Sequence, residues 1–372
     1  MDIVCVCDTP LQIVNTIQYV KKYLKKNIDN VDIFIYHQFN DSEVISDRIK
    51  KSNLFRNVYD IRRFKEYSML AQKMVTLWRM FYPKIFLKNY LQNEKKNLQF
   101  QYDCLVFAFP TTLVFALQSL YKPKKTIILE DGIGTYIGDI TDDYSSDSLR
   151  FFRKIFKNLK LSVSPDYYCI RCPEFLSAID KKKKLILDNT DECLDVLNSI
   201  FKYKNNDIYH SGKIIFLTQP LSERRGYLDN VYKKILDMLQ EYSSQIIVRK
   251  HPRDTDIDYC GFLQDNVKNM WELECCNTIS SNHVLIGGFS TAQLMPKILT
   301  GSEPVLIFLY KLLFDTEELS SVFWNETAEL ICKFKDNYND KTKIFIPETV
   351  AEFNVILEQY CRSDESLERK ET

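Results

Sequence analysis

The chain has 372 residues, 45% of them hydrophobic and 13% aromatic, and its 50 Lys and Arg balance 50 Asp and Glu. That length exceeds one ordinary domain and predicts two, each with a core of its own. Zero net charge argues against bulk nucleic-acid binding, so any anion site has to be local.

The first residues, Met1 to Asp8, lack a basic stretch followed by a long apolar one, and this predicts no signal peptide. No apolar run reaches the roughly 18 residues that a bilayer-spanning helix needs. The 11 cysteines are an odd number, and several sit inside apolar strand-like runs. A reduced, cytoplasmic protein is expected.

Ile3 to Cys7 reads as a strand, and Thr9 and Pro10 then cap and open a helix running to about Lys26. Val31 to Tyr36 and Asn57 to Ile61 read as strands flanking a helix over Asp41 to Lys51. A helical stretch from about Glu66 to Asn93 is interrupted by Pro83. Cys104 to Phe109 and Thr126 to Leu129 are buried strands separated by a helix, Thr112 to Tyr121. The polar segment from Asp139 to Ser148 predicts a loop or lid, Leu149 to Leu161 a helix, and Tyr167 to Arg171 a strand. Lys181 to Lys184 and Lys202 to Ser211 read as solvated, linker-like surface.

The second half repeats the alternation. Strands are predicted at Lys213 to Leu217, Gln245 to Arg249, Val284 to Ile286, Val305 to Leu309 and Ile344 to Ile346. Helices are predicted at Leu228 to Tyr242, after Thr291, and from about Val350 to Cys361. The expected organisation is α/β throughout, with parallel sheets in two Rossmann-like domains, residues 1–190 and 212–361, and a polar tail, 362–372. Two such domains facing a central cleft would present strand ends to a ligand.

Four stretches carry candidate chemistry. In Arg249-Lys250-His251-Pro252-Arg253 a strand ends among cations with one imidazole, which suits an anion whose leaving group needs a proton; a solvated strand end is the other reading. Gly287-Gly288-Phe289-Ser290-Thr291 leads from strand to helix, as a phosphate-binding turn or simply as a capped one. Glu130-Asp131-Gly132 also ends a strand, with a general base or an acidic turn as the alternatives. Asp254, Asp256 and Asp258 alternate either as a metal site or as a solvated loop. Cys169-x-x-Cys172 lacks a second pair at zinc spacing, and His37, His210 and His283 read as structural or surface residues. The basic amphipathic stretches Leu149 to Leu161 and Trp78 to Tyr90 suit either a membrane surface or core packing with a solvated face.

Taken in order, Cys7-Asp8-Thr9-Pro10-Leu11-Gln12, Glu130-Asp131-Gly132, Lys250-His251-Pro252-Arg253 and Phe289-Ser290-Thr291-Ala292 resemble the bacterial sialyltransferases of glycosyltransferase family 52, the lipooligosaccharide or capsule type. Related acidic, His-Pro and Ser-Thr signatures occur in bacterial polysialyltransferases. The resemblance implies a GT-B-like enzyme that uses CMP-sialic acid as donor substrate, with no cofactor and no metal. It implies inverting transfer to a terminal sugar hydroxyl, galactose in the lipooligosaccharide type, at the inner face of the cytoplasmic membrane. By the same resemblance His251 meets the departing phosphate with Ser290 and Thr291, and the base is Asp131 or Asp229. Lys250, Arg253, Gly288, Thr218 and Gln219 complete the donor side; Asp8, Thr9, Gln12 and Glu130 form the acceptor side. The partners implied are the donor and a glycan acceptor, with peripheral membrane contact and a homodimer as further expectations and no nucleic acid. The rival readings are another nucleotide-sugar donor on the same fold, or a non-catalytic glycan-binding protein.

Overall fold

The computed structural model describes residues 1–24, 30–62, 78, 82–90, 101–132, 134–136, 165–176, 183–187, 190–219, 227–251, 254, 257–314 and 322–368. They form two compact units, Met1–Lys202 and Tyr203–Thr372.

The first unit runs β1 (Ile3–Cys7), α1 (Pro10–Tyr23), β2 (Val31–Tyr36), α2 (Ser42–Lys51), β3 (Asn57–Ile61), α3 (Pro83–Tyr90), β4 (Cys104–Phe107), α4 (Thr112–Tyr121), β5 (Lys125–Leu129), β6 (Tyr167–Ile170), β7 (Lys183–Ile186) and α5 (Leu194–Phe201). Its sheet has the order β3-β2-β1-β4-β5-β6-β7, and each neighbouring pair is parallel. Strands covered on both faces are apolar without alternation, and β1 and β4 are buried along their whole length. Val4, Val6, Leu105 and Phe107 point to one side and join Leu113 and Leu117 of α4 and Leu87 of α3 in the core.

The second unit runs α6 (Ile208–Ser211), β8 (Ile214–Leu217), α7 (Tyr227–Gln240), β9 (Ile246–Arg249), β10 (Leu263–Gln264), α8 (Trp271–Asn277), β11 (Val284–Gly287), α9 (Thr291–Thr300), β12 (Val305–Phe308), α10 (Tyr310–Leu313), α11 (Val322–Asp336), β13 (Ile344–Phe345) and α12 (Val350–Glu368). Its parallel order is β10-β9-β8-β11-β12-β13, and the two edge strands have 2 residues each. Both units therefore reverse strand order once, between β1 and β4 and between β8 and β11. Reversal sends the flanking connections to opposite faces and leaves a crevice at the carboxyl ends.

Three expectations change. Lys183–Ile186 is a strand, because its backbone completes the sheet on β6 even though it opens with lysines. Tyr203 to Ser211 is not solvated linker: Asn206 and Tyr209 are buried at 4% and 1% exposure and bond to Asp265. The last helix continues to Glu368 rather than ending near Cys361. Helices α5, α8 and α11 have no counterpart among the expected elements. The stretches 139–148 and 149–161 lie outside the described residues. Of Trp78 to Tyr90, Leu87 is core, while Trp78, Tyr82 and Ile85 are exposed. Among the described residues no helix is long and apolar enough to cross a membrane.

One buried polar cluster ties the amino-terminal edge of the first sheet together. Asp32 on β2 is fully buried, and Arg56 grips it with two bonds of 2.9 Å each. Asn57 and the Tyr102 hydroxyl donate to the same carboxylate at 3.0 and 2.6 Å. Removing the guanidinium leaves a buried charge without its counter-ion. Arg56→Ala is expected to lower stability by about 3–5 kcal/mol in urea denaturation, and Asp32→Asn in the same background should recover part of it.

Candidate active site

In the first unit the candidate residues gather at the carboxyl ends of β1, β4 and β5. Thr9 caps α1 by accepting from the Gln12 N–H at 3.3 Å, and Pro10 starts the helix. Asp8 lies just before this cap and is 3% exposed. Its N–H donates to Gln12 Oε1 at 2.7 Å, and Gln12 Nε2 donates to Asp131 Oδ2 at 3.3 Å. Asp8, Gln12 and Asp131 are therefore one cluster. Burial and the adjacent Asp131 push the Asp8 acid up to about 7, against the pull of the Thr111 hydroxyl. Burial also raises the acid of Asp131, opposed by the Gln12 bond and assisted by Glu130.

Asp131 is presented by a tight turn. Gly132 has φ 62°, in the left-handed region that a side chain disfavours, and so it reverses the chain immediately after Asp131. Thr135 closes the turn by accepting from the Asp131 N–H at 2.7 Å.

Glu130 has a different position from its neighbour. Its carboxylate is wholly buried and pairs with the Arg171 guanidinium at 2.9 Å. It also accepts the Arg171 N–H at 2.9 Å and the Tyr136 hydroxyl. Arg171 in turn donates to Asn15 at 2.8 Å and to Gln18 on α1. Glu130 thus fastens the Asp131 turn to β6 and α1, and its oxygens face protein.

Sequence reasoning missed Thr111 and Phe109, which follow β4 across the reversal point from Asp8. Phe109 is 50% exposed, an aromatic face at a strand end. The signal was present: a strand ending in Phe109-Pro110-Thr111 and a helix beginning at once.

In the second unit the candidates follow three neighbouring strands, β9, β8 and β11. Thr218 follows β8, accepts the His251 N–H on its hydroxyl at 2.9 Å, and bonds through its own N–H to the Arg249 carbonyl at 3.1 Å. This holds the half-buried His251 at the end of β9 beside the end of β8. Gln219 reaches across to donate to the Phe289 carbonyl after β11. Gly288 permits this approach: a Cβ there would strike Gln219 Oε1 and lie 3.1 Å from Leu313 Cδ1. Ser290 caps α9 with a full capping box, accepting from the Ala292 N–H at 3.2 Å while Gln293 accepts the Ser290 N–H at 3.2 Å. Thr291 opens the helix, and its first turn points positive partial charge toward the crevice.

The cations are arranged differently from the expectation. Arg249 turns away, bonding Asp265, Tyr209 and the Asn269 carbonyl with Trp271 5.2 Å from its guanidinium. Lys250 donates to the Ile257 carbonyl at 2.9 Å and lies over the Tyr259 ring. Arg253 and the turn before Asp229 lie outside the described residues, and Asp229 falls within α7. Asp254 accepts the Tyr259 hydroxyl at 2.8 Å, so that carboxylate serves its own loop. His37 pairs with Asp60 at 3.1 Å, His283 bonds the Tyr209 carbonyl at 2.8 Å, and His210 is exposed.

The profile of the alpha-2,8-polysialyltransferase (POLYST) family matches residues 4–282. The chain belongs to this family. It is accordingly a glycosyltransferase. The matched span includes Asp8, Glu130, Asp131 and His251 and ends before Gly288. No curated protein matches the chain. Among similar solved structures, the UDP-GlcNAc 2-epimerase of Methanocaldococcus jannaschii in complex with UDP-GlcNAc and UDP is 14% identical, covering 97% of this chain and 100% of that one at a TM-score of 0.49. The UDP-GlcNAc 2-epimerase of Neisseria meningitidis bound to UDP-GlcNAc is 14% identical, with 98% and 100% covered and a TM-score of 0.47. The spinosyn rhamnosyltransferase SpnG is 8% identical, with 89% and 92% covered and a TM-score of 0.46.

The contact between Gly288 and Gln219 has a measurable signature in this glycosyltransferase. Gly288→Ala is expected to cost about 1–3 kcal/mol through overpacking. In a Gln219→Ala background the same change should cost less, and a double-mutant cycle in urea measures the difference.

Proposed function

We propose that this protein is a metal-independent, inverting sialyltransferase that moves sialic acid from CMP to a terminal sugar hydroxyl of a bacterial surface glycan. The observation that carries the reading is the family match, and it is supported by Thr218 and Gln219 after β8, which bond His251 and the Phe289 carbonyl. Two doubly wound units also suit a GT-B enzyme, and the signature set resembles glycosyltransferase family 52 as well. The family's own name adds sialic acid to galactose as a candidate acceptor terminus.

The chemistry follows from charge. As the bond between the sialyl anomeric carbon and the CMP phosphate oxygen breaks, negative charge collects on that phosphate. His251 gives it a proton or a hydrogen bond, and the hydroxyls and first N–H groups at Ser290–Thr291 stabilise it. A carboxylate takes the proton of the acceptor hydroxyl, whose oxygen forms the new bond on the opposite face of the sugar. Asp131 is the carboxylate we assign, because the family that matches is the polysialyl one and its acidic signature falls there. Asp229 is the alternative base. The donor side draws on Gly288, Thr218 and Gln219 for its shape, and on Lys250 and Arg253 for positive charge. The enzyme works in the cytoplasm, at the inner face of the membrane, where its glycan acceptors are built.

Purified protein with EDTA present is expected to form sialylated product, read by mass spectrometry, from CMP-sialic acid and either lactose or an α2,8-linked sialic acid oligomer. His251→Ala should lower kcat by about 10²–10⁴-fold with the circular dichroism spectrum unchanged, and Asp131→Asn should do the same while Asp229→Asn does not. Thermal stabilisation by UDP with none by CMP would overturn the donor assignment, and full transfer by His251→Ala would overturn the site.

A further inference from the structure

Buried Asp8 and half-buried Asp131 share one cluster, and the reaction above uses only the second. Gln12 tells them apart. The Asp8 backbone N–H is a donor and nothing else, so the oxygen of the Gln12 amide has to face it, at 2.7 Å. The amide nitrogen is thereby turned to Asp131, to which it donates at 3.3 Å. A donor held on Asp131 favours a carboxylate there. Asp8 is less well served: its Oδ1 is buried without a hydrogen-bond partner among the described residues.

No described cation offsets a second charge at this edge. Arg171 is committed to Glu130. The Cys7 thiol, bonded to Thr16 beneath the pair, is pushed up to about 12 chiefly by burial and stays neutral. Thr111, from the end of β4, also faces Asp8, and Gln38 donates to the Asp8 carbonyl at 3.2 Å. Two neighbouring carboxyls in such a place do not both ionise at neutral pH.

We propose that Asp8 is a positioning residue that carries the single proton of this pair, leaving Asp131 as the anion that meets the acceptor hydroxyl. The function assigned to Asp131 rests on the reaction proposed above; the location of the proton does not. Asp8 acts through its neighbour: a neutral acid beside Asp131 spares the site a second buried charge, while Gln12 keeps the negative end fixed. The upward displacement of the Asp8 acid to about 7 agrees with this geometry.

Infrared difference spectroscopy on the purified full-length chain decides the matter without substrate. The wild type is expected to show a protonated carboxyl C=O band at about pH 6 that is lost by about pH 8. Asp8→Asn should lack the band and Asp131→Asn should keep it. A band kept in Asp8→Asn, a band lost in Asp131→Asn, or no band in the wild type would each overturn the proposal; the Asp131 variant and the wild type decide it even if Asp8→Asn fails to fold. Folded Asp8 holds its proton to higher pH than unfolded Asp8, so stability is lost as pH rises from about 4 to about 7. Wild-type Tm should fall relative to Asp8→Asn over that window, and an unchanged difference would count against the assignment. In the transfer assay, the bend near pH 7 in wild-type kcat/KM should vanish in Asp8→Asn. If no transfer is found at all, the reaction fails while the spectra still place the proton.

Discussion

A carboxylate taken wholly out of water needs its charge met by something equally fixed, and Glu130 meets that demand with Arg171. The desolvation of two such ions is a matter of several kcal/mol each, so the pair is held only with good geometry and further bonds. Arg171 supplies both guanidinium and backbone N–H, and it extends to Asn15 and Gln18. Three elements, the turn after β5, the end of β6 and helix α1, are thereby set relative to one another. Asp131 and Gln12 take their places from this arrangement, and the carboxyl pair exists because of it. The second unit uses the same device on a different strand. Arg249 at the end of β9 is spent on Asp265 and the Asn269 carbonyl, with Trp271 beside it. Trp271 then donates to the Ala292 carbonyl at 2.8 Å, in the first turn of the helix that Ser290 caps. In both units an arginine that looks available in the sequence is consumed in holding the groups beside it.

Parallel pairing explains why the reactive residues are so far apart in the chain. All strands of a parallel sheet finish on one edge, and connections of many residues must intervene between them. Gln12 joins Asp8 to Asp131 across the unit-one sheet, and across the other Thr218 bonds His251 while Gln219 bonds the Phe289 carbonyl. The single reversal of strand order in each sheet selects which ends line the crevice.

The strands were legible because parallel strands are written as short unbroken apolar runs. Val31–Tyr36 and Asn57–Ile61 fall where the runs place them. Lys183–Ile186 was not legible, since an edge strand needs only backbone pairing and tolerates lysines. Helix α8 was hidden by its length of 7 residues, too few for a period to show. Of the site, the strand-end positions and the capping Ser290 could be read, because turn and cap chemistry is local. The partners of Glu130 and Arg249 could not, because Arg171 and Asp265 reach them only through the fold. Charge alone made Arg249 resemble an anion ligand, and only burial against Trp271 and Asp265 tells it apart.

The sheet edges carry a consequence for the protein in concentrated solution. Unpaired strand edges are templates on which another chain can grow a sheet, and aggregation commonly starts there. The second unit exposes edges of 2 residues on each side, too short to seat a foreign strand. The first unit's outer strands are longer, β3 with 5 residues and β7 with 4. In a tyrosine- and phenylalanine-rich α/β chain with no net charge to keep its copies apart, the second unit is thus the better guarded of the two at its rims.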